Sequence, residues 1–102
     1  MPATLTVAYP VDPPEFDHAY YATSHLPLLL EVMRPLGLED ASVSHGIAGG
    51  GDRPPPWHAV STLIFPDLET LKTALEKGER AFGDTARFYK GRPEVMIGET
   101  LI

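Results

Sequence analysis

Apolar and polar residues alternate from Ala3 to Tyr9, with Leu5, Val7 and Tyr9 on one face and Thr4, Thr6 and Ala8 on the other. That spacing predicts a half-buried strand. Pro10-Val11-Asp12-Pro13-Pro14 ends it. Asp12 suits the cap of a helix whose first turn tolerates Pro13 and Pro14, with Glu15 and Asp17 favouring its positive end. Apolar positions then recur at Phe16, Tyr20, Tyr21, Leu28, Leu29, Val32, Met33 and Leu36. The helix is expected to stop near Arg34, because Pro35 disfavours helical geometry in the residue before it and Gly37 suits a C-terminal cap.

A weak alternation over Leu38 to Ala48 (Ala41, Val43, His45, Ile47) predicts a second strand, and Gly49 to Pro56 a long hairpin loop. Trp57 to Phe65 is apolar on both faces and is expected at the centre of a sheet. Pro66-Asp67 opens a second helix carrying Leu68, Leu71 and Leu75, Gly78 interrupts it, and Glu79 to Phe88 continues as a helical piece bearing Phe82 and Phe88. Val95 to Ile102 closes the chain as a strand. The order strand–helix–strand, twice over, is the split β-α-β or ferredoxin-like plan: an α+β fold with four antiparallel strands and two helices on one face. The bare face of such a sheet still carries the apolar residues of the third strand. A second copy packed sheet against sheet is the expected cover, giving a homodimer.

At 102 residues, 43% hydrophobic and 22% charged, the chain is expected to be a single domain spanning residues 1–102. No apolar run approaches the roughly 20 residues of a membrane span, and no basic-then-apolar leader opens the sequence. A net charge of −6 with scattered basic residues argues against nucleic acid and anionic membranes as partners. The absence of cysteine removes disulfides, thiolate metal sites and a cysteine nucleophile, and leaves the cytoplasm as the expected location.

The chemistry concentrates in Phe16 to Leu28, which packs two tyrosines and two histidines into the first turns of a helix. Buried hydroxyls and imidazoles are costly without partners, so this surface is either a hydrogen-bonded structural network or the wall of a site. His25 lies four residues after Tyr21, so the two side chains share a face. An imidazole there can act as a general acid or base, with the phenol orienting it or donating to an oxyanion. The alternative is a histidine that only steadies the helix. His18, seven residues earlier and roughly 10 Å along a helix axis, lies too far away to share a metal with His25 and is expected to be solvated. His45 and His58 flank the loop and would stand nearly opposite across a symmetric hairpin, close enough to share a ligand, which makes both substrate-binding candidates; no carboxylate completes a metal set, so no metal site is assigned. Tyr9, Trp57, Phe82 and Phe88 are candidate pocket walls or ordinary core. Glu99, the one acid in its strand, either faces solvent or partners an imidazole. No nucleotide-binding glycine loop is present, and no cofactor is assigned.

The strand ending in Tyr9-Pro10, the run Phe16-Asp17-x-x-Tyr20-Tyr21-x-x-His25-x-Pro27-Leu28, the Trp57–Phe65 strand, Leu68-x-x-Leu71 and the closing Gly98-Glu99 together resemble the EthD family, named for ethyl tert-butyl ether degradation. The resemblance covers essentially the whole chain. It implies a dimeric α+β barrel with a pocket between helices and sheet for a small, flat, partly apolar molecule, and it maps His25 onto the family histidine of that pocket. Muconolactone isomerases, polyketide cyclases and haem-degrading or quinol-forming monooxygenases are relatives in that group. The methylmuconolactone methylisomerases among them use cysteine, a chemistry closed to this chain. The resulting expectation is a cofactor-independent isomerase, cyclase or monooxygenase of small-molecule catabolism or secondary metabolism, acting on a lactone, quinone or aromatic acid. Two alternatives stand beside it: a non-enzymatic ligand-binding accessory to an oxygenase, and a haem-binding protein with His25 as axial ligand.

Overall fold

A computed structural model describes residues 1–102. Four antiparallel strands, β1 (Ala3–Pro10), β2 (Asp40–His45), β3 (Trp57–Phe65) and β4 (Glu94–Glu99), form one sheet in the order β2-β3-β1-β4. The two interior strands are therefore β1, with the clearest alternation, and β3, apolar on both faces. Their register pairs Ala3 with Phe65, Leu5 with Leu63, Val7 with Ser61 and Tyr9 with Ala59. These pairs face the helices and are buried, while Thr4, Thr6, Val60, Thr62 and Ile64 turn to the opposite, half-exposed face.

The first helical segment is interrupted where the pattern predicts one continuous helix. Asp17, not Asp12, is its cap, its carboxylate accepting from the Tyr20 N–H at 3.0 Å. A short α turn, α1 (His18–Tyr20), runs into a π turn (Tyr21–His25), then into α2 (Leu26–Met33) and a 3-10 turn (Arg34–Leu36). The end falls where expected, with Gly37 at φ 105° providing the left-handed cap. Buried Leu29 and Met33 give α2 its inner face. In the second half, α3 (Leu68–Lys77) is capped by Asp67 and buries Leu71 and Ala74. After Gly78, α4 (Glu79–Phe82) and a 3-10 turn (Gly83–Arg87) lead to Phe88 and Tyr89.

Two strands are shorter than their alternation suggests. Strand β2 covers Asp40–His45 instead of Leu38–Ala48, because Ile47 swings into solvent with the loop. Strand β4 covers Glu94–Glu99 instead of Val95–Ile102, since pairing with β1 ends opposite Ala3 and leaves Leu101 and Ile102 exposed. Both are edge strands. The helices do not reach β4, so Val95 and Ile97 stay 60% and 47% exposed on the helix-side face.

Gly78 lets the two helical layers touch. A Cβ there would collide with the Met33 side chain and stand 2.6 Å from the Ala74 carbonyl, which cannot move without breaking α3. Gly78→Ala is therefore expected to destabilise the fold by about 1–3 kcal/mol, the usual cost of overpacking. Thermal or urea unfolding measures it, and an unchanged midpoint would refute the close-approach argument.

Candidate functional site

The π turn has a local cause. Pro27 has no N–H to give the Thr23 carbonyl, so the regular ladder fails at this point. The Leu26 N–H instead reaches back five residues to the Tyr21 carbonyl. Thr23 adds its own strain on the α pattern by donating its hydroxyl to the Ala19 carbonyl at 2.7 Å. The wider turn lays the His25 ring nearly parallel to that of Tyr21, with centroids 5.6 Å apart and planes at 17°. Phe88 closes the other side of the imidazole at 4.5 Å. His25 is 3% exposed in this aromatic sleeve.

Its partner comes from the other half of the chain. Asp84, on the 3-10 turn after α4, places Oδ2 3.1 Å from His25 Nδ1. Its Oδ1 accepts from the Tyr20 hydroxyl at 2.9 Å and lies 3.5 Å from the Arg87 guanidinium. A carboxylate only accepts, so Nδ1 carries the proton and Nε2 keeps its lone pair. Nε2 has no partner in the protein, and His25 lines a cavity of about 340 Å³ between sheet and helices. Leu5, Val7 and Leu63 of the sheet, Leu29 and Leu75 of the helices, and Phe82 form the apolar walls. The polar groups on its surface belong to Tyr9, His25, Ser61 and Thr85, and Pro93 and Val95 stand on the β4 side. This size and mix suit a small organic ligand.

Burial lowers the His25 pKa below its ordinary 6.5, and the Asp84 hydrogen bond and charge oppose that effect without overcoming it. The imidazole is a neutral base at neutral pH. Tyr9 sits at the centre of the aromatic layer, 5.5 Å from Phe16, Phe88 and Tyr89, and burial raises its pKa. Tyr21 is pushed up to about 12 by burial. Its hydroxyl lies toward Ser61 but is sealed from the cavity and closes no hydrogen bond of sound geometry. Tyr21 therefore touches the imidazole through its ring and does not reach the cavity surface through its oxygen.

The sequence candidates thus separate. Tyr9, Phe82 and His25 line the cavity, and Phe88 and Tyr21 clamp the imidazole. His45, Trp57 and His58 stand outside it. The two-for-one step in pairing, Tyr9 to Ala59 but Pro10 to Trp57, leaves His58 as a bulge. The bulge turns Trp57 to donate to Glu94 at 3.2 Å and sends His58 to stack on Phe16 at 4.9 Å. His58 also bonds the Pro13 carbonyl, and His45 pairs with Ala59 instead of facing His58. His18 stays exposed, and its ring stands 6.1 Å from both. Glu99 lies opposite Ala3 at the exposed end of β4 and partners no imidazole. A second hollow of about 240 Å³ between α2 and β2 presents Arg34, Glu39 and Asp40 but no histidine or tyrosine.

Sequence spacing misses Asp84, Ser61 and Thr85. Asp84 is 59 positions from His25, and no local period connects them. The one signal available is an acid set between Phe82 and Phe88 in a segment that should otherwise be core.

Fold and site together define a ferredoxin-like α+β domain with a histidine-bearing cavity beneath its first helix. A family model described as the EthD domain matches residues 8–92, and the chain belongs to the EthD family. An EthD-like protein of Ralstonia eutropha JMP134 is similar at 29% identity and TM-score 0.82, over 99% of this chain and 93% of its own. An ethyl tert-butyl ether degradation family protein of Bacillus halodurans C-125 is similar at 21% identity and TM-score 0.78, over 99% and 100%. A dimeric ferredoxin-like protein of Jannaschia sp. CCS1 shares the fold at 16% identity and TM-score 0.66, over 98% and 100%. No curated protein matches the sequence.

The Asp84 carboxylate favours the imidazolium, so Asp84→Asn is expected to lower the His25 pKa further below 6.5. An NMR titration of the imidazole checks the sign. A rise, or no change, would remove Asp84 from its electrostatic role.

Proposed function

We propose that this EthD-family protein is a proton-transfer enzyme on small, largely apolar molecules, with His25 as general acid and base. The observation that carries the reading is the imidazole held in one tautomer by Asp84, with the unpartnered Nε2 on the side of an apolar cavity. His25 Nε2 would take a proton from a carbon or hydroxyl of the bound molecule, leaving the electron pair on that molecule as an enolate or phenolate. The resulting imidazolium, paired with Asp84, would return the proton to the same or another atom. Such a cycle is balanced within the substrate and serves isomerisation or cyclisation. Tyr21 is a positioning residue here, acting through its ring on His25. Tyr9, Ser61 and Thr85 would hold the substrate's oxygens, and Phe82 would pack on its apolar body.

The enolisable ketone 2-tetralone serves as a probe. Wild-type protein is expected to accelerate exchange of its α-hydrogens for deuterium in D₂O, read by proton NMR. His25→Gln should reduce the acceleration by about 10²–10⁴-fold, the usual share of a general base. The rate should be level above the lowered His25 pKa and fall below it, because only the neutral imidazole accepts. Equal exchange by wild type and His25→Gln would overturn the mechanism.

We further propose a homodimer through the open sheet face. Supporting it are the half-exposed Val60 and Ile64, the exposed Met96 on the same side, and the dimeric Jannaschia fold relative. Sedimentation equilibrium is expected to give twice the chain mass, and Ile64→Lys with Met96→Glu to give monomer. A monomeric wild type at micromolar concentration would reject this arrangement.

A further inference from the structure

The charge inventory of the cavity narrows what it can take. Neither lysine nor arginine, aspartate nor glutamate lines it. The cation paired with Asp84, Arg87, is 72% exposed and turned to the outer oxygen of that carboxylate. The charge that touches the cavity's one titratable base is the Asp84 carboxylate, directly behind the imidazole. A bound carboxylate would therefore shed part of its hydration, meet no countercharge among the lining residues and face a like charge behind the imidazole. The same hydrogen bond that fixes the tautomer decides the polarity of the remaining contact. With Nδ1 donating to Asp84, Nε2 can only accept.

Resting on the reading of this cavity as the substrate site, we infer that it selects uncharged ligands that present a hydrogen-bond donor or acidic hydrogen to His25 Nε2, such as a phenol, an enol or an enolisable ketone, and rejects carboxylates. The aromatic acids expected among substrates from sequence drop out, as they are anions at neutral pH. Lactones and ketones with an acidic α-hydrogen stay within the class. Quinones stay only in their reduced, hydroxyl-bearing form. The hydroxyls of Tyr9, Ser61 and Thr85 are neutral, so they can accommodate a carbonyl or phenol oxygen without demanding a charge.

Three probes of one shape test this on the wild-type protein: 2-naphthol, naphthalene and 2-naphthoate, titrated by calorimetry near pH 7.5. The expected order is 2-naphthol tightest, naphthalene several-fold weaker, and 2-naphthoate at least tenfold weaker than 2-naphthol. His25→Phe should reduce 2-naphthol to the level of naphthalene. Circular dichroism of that variant reports its folding, and the wild-type order stands without it. Binding of 2-naphthoate as tight as that of 2-naphthol would overturn the charge rule. Equal affinity for 2-naphthol and naphthalene would overturn the donor rule. Either failure leaves the proton-transfer reading intact if 2-tetralone still exchanges. Binding by none of the three, with no exchange of 2-tetralone, would overturn both.

Discussion

The hydrogen bond between His25 and Asp84 joins two segments that lie 59 positions apart in the chain. His25 belongs to the π turn that follows the first strand, and Asp84 to the 3-10 turn that follows the second pair of helices. Each residue is costly where it stands. The imidazole is enclosed by rings, and the Asp84 side chain is only 9% exposed. Their contact, with the Tyr20 hydroxyl on the second carboxylate oxygen, satisfies both. Removing Asp84 would leave the buried imidazole Nδ1 unpaired, a larger penalty than the loss of an ordinary hydrogen bond. Arg87 adds little, because its guanidinium is solvated and an exposed ion pair contributes about 0–1 kcal/mol. The pair is thus both a tertiary staple and the chemical centre.

That staple depends on an aromatic layer with Tyr9 at its middle. Edge-on contacts with Phe16, Tyr21, Phe88 and Tyr89, each at about 5.5 Å, surround the Tyr9 ring. Pairs of this kind contribute about 0.5–1.5 kcal/mol each beyond their burial. The layer borrows its geometry from small backbone irregularities. Without the π turn, Tyr21 and His25 would be rotated relative to each other. Without the bulge at His58, Trp57 would point into the layer in place of the smaller imidazole. Tyr89 ties the layer to the end of β1 by donating to the Pro10 carbonyl at 2.7 Å. Regular elements build the frame here, and the irregular ones aim the side chains.

Periodicity reveals the frame and hides the aim. The interior strands, the cap at Gly37, the helix opened by Asp67 and the antiparallel α+β plan all follow from period-two and period-3.6 patterns with their stop signals. The same patterns pair Tyr21 with His25, since both lie within one local element. They fail wherever two distant segments or a broken register decide the outcome. Asp84 reaches His25 only after the sheet has closed. His45 and His58 are set opposite by hairpin symmetry, and a single unpaired residue undoes that symmetry. Asp12 suits a cap by the local rules, yet Asp17 is the cap, and beside it Phe16 bridges Tyr89, a contact that no local window contains.

The chemistry follows from an asymmetry across one imidazole. On the Nδ1 side stands a carboxylate that touches a hydroxyl, a solvated guanidinium and the surface. On the Nε2 side is an apolar cavity. Burial alone would make the imidazole a poor holder of protons, and a paired carboxylate alone would favour the protonated ring. Burial is the larger of the two effects here, so the resting base is neutral and ready to accept. The carboxylate acts most strongly once the proton has arrived, because its attraction grows with the positive charge on the ring and the surroundings screen it poorly. A base that is neutral at rest and supported when charged is suited to taking a proton from a weak acid and giving it back. The cavity contributes the complementary condition: a ligand that arrived already ionised would face the same carboxylate with no cation to offset it.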